Sequence, residues 1–294
     1  MPAPLLLADV PWLLYRSFFA LPKSIADSAG RPVNALLGTV NALLRLAESS
    51  DRPRAVIGCT GAEEAAYRVR LYPPYHAHRD PMPPELREQW VKAPRLLEGM
   101  GWAVIGSETL EADDVMFSLA RKEDESGGRA LLFTGDRDLY GALSERVAVV
   151  ELPKSGEPTT IGPDGVRERY GVEPAQVADL IALRGDPSDG IPGAPGVGAK
   201  TAAQLLAAHG SLEGVLAAAH AGSAAAQMRP RIANALIENE ALLQRFKQIA
   251  TLQRIELERP ADASTDYARG ARVAGEFGMK RLSERLASLG EPTA

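Results

Sequence analysis

The segments Glu111-Ala-Asp-Asp114, Val115-Met-Phe-Ser-Leu-Ala-Arg121 and Leu131-Leu-Phe-Thr-Gly-Asp-Arg-Asp138 read as a helix and a strand with acids at the ends that face one another. Five carboxylates fall into two tight clusters with apolar sequence between them. Like charges repel in a poorly screened site, so converging carboxylates at sheet ends seldom stabilise a fold by themselves. Hard divalent cations, which take oxygen ligands, give such a cluster a purpose. The stretch therefore reads as most of a two-metal site for phosphodiester hydrolysis.

Working outward, residues 4–8 form a short apolar run that predicts a buried strand ending at Asp9. Open parallel sheets place ligand-binding groups at that end of a strand. Asp9 alone reads equally well as the N-cap of a helix over 11–21. Leu36, Leu37, Val40, Leu43 and Leu44 share one face of a predicted helix over 34–47. Further strands are expected over 55–58, 103–105, 130–133 and 147–152, and helices over 84–101 and 112–121. Pro94 is expected to kink or break the former. Acids at a helix start are ordinary, but that does not explain Glu111, Asp113 and Asp114 together. Strands alternating with helices indicate a doubly wound, parallel α/β sheet.

The stretch 60–79 is less regular. Arg68, Arg70, Tyr72, Tyr75 and Arg79 there suit a track for a nucleic-acid backbone, or a solvated loop with its tyrosines packed inward. His76 and His78 lack a third soft ligand, which leaves a zinc site unsupported. Pro, Gly, Ser and Thr over 153–163 suggest a domain boundary. Beyond it helices are expected over 176–184, 202–208, 231–251 and 279–289, with helix or loop over 211–225. Between the first two, Gly185-Asp-Pro-Ser-Asp-Gly-Ile-Pro-Gly-Ala-Pro-Gly-Val-Gly198-Ala-Lys-Thr201 presents backbone N–H groups suited to a phosphate. The glycine spacing of a P-loop is not met, because Ala199 separates Gly198 from Lys200.

The 294 residues hold one cysteine, Cys59, so an internal disulfide and a multi-thiolate zinc site are both excluded. A reducing, cytoplasmic setting is expected. No apolar run approaches membrane-spanning length, and the first residues lack the basic region of a signal peptide. The net charge of −5 is unusual for a nucleic-acid binder. Setting aside Asp9, Glu111, Asp113, Asp114, Asp136, Asp138, Asp186 and Asp189 as metal-site acids leaves the remainder at +3.

In order, Leu7-Ala-Asp9, Tyr15-Arg-Ser-Phe-Phe19, Gly30-Arg-Pro-Val-Asn-Ala35, Met82-Pro-Pro-Glu-Leu-Arg-Glu-Gln89, Glu111-Ala-Asp-Asp114, Thr134-Gly-Asp-Arg-Asp138, Gly185-Asp-Pro-Ser-Asp189 and Gly196-Val-Gly-Ala-Lys-Thr201 resemble the bacterial 5′–3′ exonuclease and flap endonuclease family. That family occurs as the N-terminal part of DNA polymerase I or as a free-standing protein. The resemblance covers the chain to about residue 250. It implies a PIN-like (resolvase-like) catalytic domain over 1–160, with a mostly parallel sheet, flanking helices and a helical arch. A helical domain over 161–294 with a helix–hairpin–helix motif would follow.

The resemblance further implies two Mg²⁺ or Mn²⁺ ions. Asp9, Glu111, Asp113 and Asp114 would cradle one; Asp136, Asp138, Asp186 and Asp189 would hold or orient the second. Gly196, Gly198, Lys200 and Thr201 would grip the duplex, in this family often with K⁺. The segment 72–95, with Tyr72, Tyr75 and Arg79, would arch over the 5′ strand. Arg68 and His76 would be catalytic, and Asn34 would lie near the junction of duplex arms. The implied substrates are DNA with a 5′ flap, nick or 5′ overhang, and RNA–DNA hybrids. A separate DNA polymerase is the implied partner of a monomeric protein, with no membrane involved.

Two departures bear on rate. The family's aspartate after the second strand is absent from Gly58-Cys-Thr-Gly61. His76 stands where the family has lysine, which implies slower cleavage, or cleavage favoured at lower pH. They sustain a second reading, a flap- or junction-binding homologue with weak or lost cleavage.

Overall fold

The computed structural model describes residues 3–49, 51–153, 157–222 and 228–290. Six strands form one sheet among them: β1 (Leu5–Asp9), β2 (Ala55–Thr60), β3 (Ala103–Gly106), β4 (Ala130–Phe133), β5 (Val147–Glu151) and β6 (Thr159–Ile161). Their order is β3-β2-β1-β4-β5-β6, parallel except for the antiparallel β5–β6 edge. The order reverses between β1 and β4, which makes their carboxyl ends the topological switch point. Every residue of β1 is buried, as a central strand covered on both faces requires. Leu5 and Leu7 enter one core, while Leu6 and Ala8 enter the other.

The helices of the α/β unit are α1 (Val10–Ala20), α2 (Asn34–Ala47), α3 (Ala66–Leu71), α4 (Pro84–Gly99) and α5 (Ala112–Glu125). Helices α1, α2 and α4 cover one sheet face and α5 covers the other. A helical portion follows: α6 (Pro163–Tyr170), α7 (Val177–Arg184), α8 (Ala199–His209), α9 (Leu212–His220), α10 (Pro230–Glu238) and α11 (Glu240–Ala250). The chain then returns to the sheet as an extended strap and ends in α12 (Tyr267–Glu276) and α13 (Lys280–Gly290). The strap is fixed by Gln253 N donating to Asp114 Oδ1 at 2.8 Å, Ile255 N to Ser118 Oγ at 3.0 Å and Trp102 Nε1 to Thr265 Oγ1 at 3.0 Å. Residues expected in a separate C-terminal domain thus pack on the α/β unit.

Several elements differ from expectation for local reasons. Pro94 does not end α4, because Leu86, Ala93, Leu96 and Leu97 bury on both sides of it. The helix expected over 231–251 divides at Asn239, whose side chain donates to Ala235 O at 2.8 Å and caps α10. The β-branched Thr159, Thr160 and Ile161 add an edge strand inside the expected boundary. Residues 154–156 of that boundary, and 223–227, lie outside the described residues. No helix among the described residues is long and apolar enough to cross a membrane.

Candidate active site

Asp9 ends β1 and caps α1, accepting from Trp12 N at 2.9 Å. The two readings of this residue are compatible, since its other carboxylate oxygen accepts from Thr134 Oγ1 at 2.7 Å. Thr134 Oγ1 also accepts from Asp136 N at 3.0 Å, and Asp136 Oδ1 accepts from Asp138 N at 2.9 Å. One buried hydroxyl thus ties the acid of β1 to the acidic loop after β4, across the switch point. Sequence alone gave Thr134 no role, although its position between a buried strand and an acidic turn is a signal for one.

Glu111 caps α5 in a reciprocal box with Asp114, which leaves Asp113 in the first turn. Burial raises the pKa of Asp9 to about 6. Burial also raises Asp136 to about 6, with Asp189 and Asp186 adding to the rise. Asp113 is pushed well above the carboxylate range by burial and then by Asp136, Asp9, Glu111 and Asp138. Asp138 is raised similarly by burial, Asp136, Asp189 and Asp186, with Arg68 opposing. These acids feel one another across a poorly screened recess.

The remaining acids are engaged. Asp114 is fully buried and held by Arg68 through two bonds, at 2.9 and 2.8 Å. Glu111 meets Arg68 at 3.1 Å, Ala65 N at 2.7 Å and the Tyr75 hydroxyl at 3.1 Å. Asp186 accepts from Ser188 N at 2.9 Å and from its hydroxyl. Asp189 Oδ1 lies 3.0 Å from His76 Nε2 and accepts from Arg79 at 3.1 Å. As the side chains stand, no group of three or more His, Cys, Asp and Glu among the described residues is arranged to hold a metal ion. Asp9, Asp113, Asp136 and Asp138 nonetheless lie near enough to raise one another's pKa values. An all-carboxylate recess suits hard divalent cations, so the residues fit such ions.

The residues expected to meet nucleic acid divide. Gly196, Gly198 and Lys200 are exposed and Thr201 half-buried, at the start of α8 between two helices. Gly196 has φ +80° and open space beside it, as does Gly198. Tyr75 and His76 are buried, stacked on each other at 3.8 Å, while Tyr72 packs edge-on against Phe246. Asn34 is fully buried, its amide donating to Phe18 O and Leu21 O at 3.0 Å each. Arg79 is half-exposed, and Arg68 is buried.

The place of the expected second-strand acid is filled differently. Cys59 pairs with Asp9 across the sheet, and burial, then Asp9 and Asp113, push its thiol well up. Thr60 turns toward Ile105 O at 3.4 Å. Gly61 lets the start of α5 approach, since a β-carbon there would meet Ala112 N at 2.5 Å. Glu63 lies on the surface beside Tyr15 and Arg87.

A resolvase-like sheet with acids at its switch point and a helix–hairpin–helix beside it defines the class. Residues 4–171 match the family model for the 5′-3′ exonuclease N-terminal resolvase-like domain, and 172–268 match that for the 5′-3′ exonuclease C-terminal SAM fold. The chain belongs to the 5′–3′ exonuclease family. It is 36% identical to a 5′-3′ exonuclease of Mycobacterium tuberculosis, with 97% of each chain covered. It is 33% identical to DNA polymerase I of Mycobacterium leprae over 98% of this chain, but spans only 32% of that polymerase. Among solved structures, T5 D15 protein with metal ions shares the fold at TM-score 0.68 and 17% identity, covering 98% of this chain and 100% of that one. The catalytic core of Rad2 with DNA substrate does so at TM-score 0.65 and 13% identity, covering 97% and 92%.

Proposed function

We propose that this protein hydrolyses phosphodiesters in DNA as a 5′–3′ exonuclease and structure-specific 5′-flap endonuclease, using two Mg²⁺ or Mn²⁺ ions. The observation that carries the reading is the hydrogen-bond chain that joins Asp9 through Thr134 to Asp136 and Asp138 at the β1–β4 switch point, with Asp113 close enough that these acids raise its pKa. Such a set is costly unless cations enter it. Bound there, two ions would lower the pKa of an attacking water and neutralise charge at the leaving oxygen. Asp9 and Asp113 would face one ion, Asp136 and Asp138 the other, with Thr134 fixing Asp9 against the β4 loop. Asp186 and Asp189 would take part after small side-chain shifts. The exposed backbone from Gly196 to Thr201 would receive a duplex phosphate at the start of α8, and the same residues would hold a K⁺ ion, which would add positive charge beside that phosphate.

The substrates we assign are DNA with a 5′ flap, nick or 5′ overhang, and RNA–DNA hybrids. We assign a monomer in the cytoplasm, acting beside a separate DNA polymerase. A 5′-labelled flap duplex incubated with Mg²⁺, Mn²⁺ or chelator tests this. Short 5′ fragments released only with metal are expected; an intact flap in every condition would sink the reading.

A second reading, flap binding with weak or lost cleavage, is favoured by two observations. Asp189 is occupied by His76 and Arg79, and no acid stands at residues 58–61. Tight, metal-independent flap binding without any product would establish it.

A further inference from the structure

Arg68 was expected to act on the phosphate, yet it is 3% exposed and faces inward. Its Nη1 donates to Asp114 Oδ2 at 2.9 Å and lies 3.1 Å from Glu111 Oε2; Nη2 donates to Asp114 Oδ1 at 2.8 Å. Its Nε donates to Ile249 O, at the end of α11, at 3.0 Å. These contacts employ four of the roughly five N–H groups a guanidinium offers. Asp114 Oδ1 also accepts from Gln253 N at 2.8 Å. One buried ion pair thus joins the first turn of α5 to the end of α11 and the start of the strap.

We infer that Arg68 is a positioning residue for the metal site, not a phosphate contact. It locks Glu111 and Asp114 on either side of Asp113 and sets the angle of the first turn of α5 against the helical portion. Asp113 lies between these two fixed neighbours, close enough to Asp136 and Asp9 for them to act on it. The planar fork explains why arginine is needed: an ammonium at the same place cannot bind Asp114 through two parallel bonds and reach Ile249 O as well. The same joint places the hairpin beyond α7 and the acids of α5 in one frame, since α11 packs on α7. This inference rests on the metal reading above.

The test is Mn²⁺ binding to the DNA-free protein, followed by electron paramagnetic resonance of the free ion, for the unaltered chain, Arg68→Lys and Leu206→Ala. Leu206 is fully buried in α8, so its truncation controls for loss of stability alone. Arg68→Lys is expected to weaken Mn²⁺ binding about 10–100-fold, the scale of losing an outer-sphere partner, while Leu206→Ala leaves it within about twofold. Unchanged affinity in Arg68→Lys with a fall in flap cleavage would overturn the inference and return Arg68 to the phosphate. No Mn²⁺ binding by the unaltered chain would overturn the metal reading, and this inference with it. Should Arg68→Lys not fold, hydrogen exchange of the unaltered chain decides. Slowing by Mn²⁺ that reaches the Gln253 amide supports the joint; slowing confined to residues 111–138 overturns it.

Discussion

Thr134 Oγ1 donates to Asp9 Oδ2 at 2.7 Å while accepting from Asp136 N at 3.0 Å, so one hydroxyl spans the crevice between β1 and β4. Thr134→Val keeps the shape and removes both bonds. It leaves the part-buried Asp136 amide without its acceptor, a loss toward the low end of the about 1–3 kcal/mol that a buried group would suffer. A lower Tm and a cleavage rate down at least about tenfold are expected. Parent-like values in thermal unfolding and single-turnover assays would show that the hydroxyl is incidental.

The raised carboxylates give the metal-free protein an unusual pH dependence. A folded-state pKa of about 6 for Asp9 and Asp136, above the ordinary 3.8, means that the folded chain holds protons the unfolded chain has released. Stability from this source is complete below 3.8 and is lost as pH rises through about 6. Glu125, Glu173 and Glu213, lowered from 4.5 chiefly by bonds to Arg254, Arg167 and Lys247, act oppositely below that value. Without metal, Tm should therefore be higher near pH 5 than at pH 7.5. Asp9→Asn should remove part of the difference, on the order of 1–2 kcal/mol. Saturating Mg²⁺ should raise Tm at pH 7.5 by binding only the folded chain. A flat profile between pH 5 and 7.5 in chelator would contradict the crowding of these acids.

His76 has φ +56°, rare for a residue with a β-carbon, and its Nδ1 is buried with no hydrogen-bond partner among the described residues. Next to it Gly190, at φ +74°, would set a β-carbon 3.1 Å from Pro74 O. The turn after α3 and the loop of Asp186 to Asp189 therefore close on each other. His76→Lys brings a permanent charge to this contact. At pH 8 it is expected to raise the cleavage rate about tenfold or more, on the scale of a charge-stabilising donor. A rate unchanged at every pH would show that position 76 does not face the reacting phosphate.

The hairpin offers a separate test. Lys200→Ala should weaken duplex binding and reduce the slope of log affinity against log salt by about one. Gly196→Ala places a β-carbon at φ +80° and should also weaken binding. Fluorescence anisotropy in Ca²⁺ reads both. Unaltered slopes would place the duplex elsewhere.

Five of the six strands were legible because β1 to β5 are short, mostly apolar runs, and Ala130–Phe133 and Asn34–Ala47 fall where periodicity puts them. The acids of the crevice were legible for the same reason: each follows a strand or opens a helix. What sequence concealed was direction. Tyr75, His76, Arg68 and Asn34 are polar residues in polar stretches, so composition points them at solvent, whereas long-range partners such as Glu111, Asp189, Asp114 and the Phe18 carbonyl draw them inward. The return of the strap to α5 was hidden too, since bonds such as Gln253 N to Asp114 leave no periodic trace.

If the carboxylates at the β1–β4 crevice hold the metals that drive cleavage, metal and Asp136 must both govern the rate. The measurement is the single-turnover rate on a 5′-flap duplex against Mn²⁺ concentration, for the unaltered chain and Asp136→Ala. The rate is expected to rise more steeply than the first power of metal, to vanish in chelator and to fall at least about 100-fold in the variant. A rate that survives chelator, or that Asp136→Ala leaves intact, would contradict it.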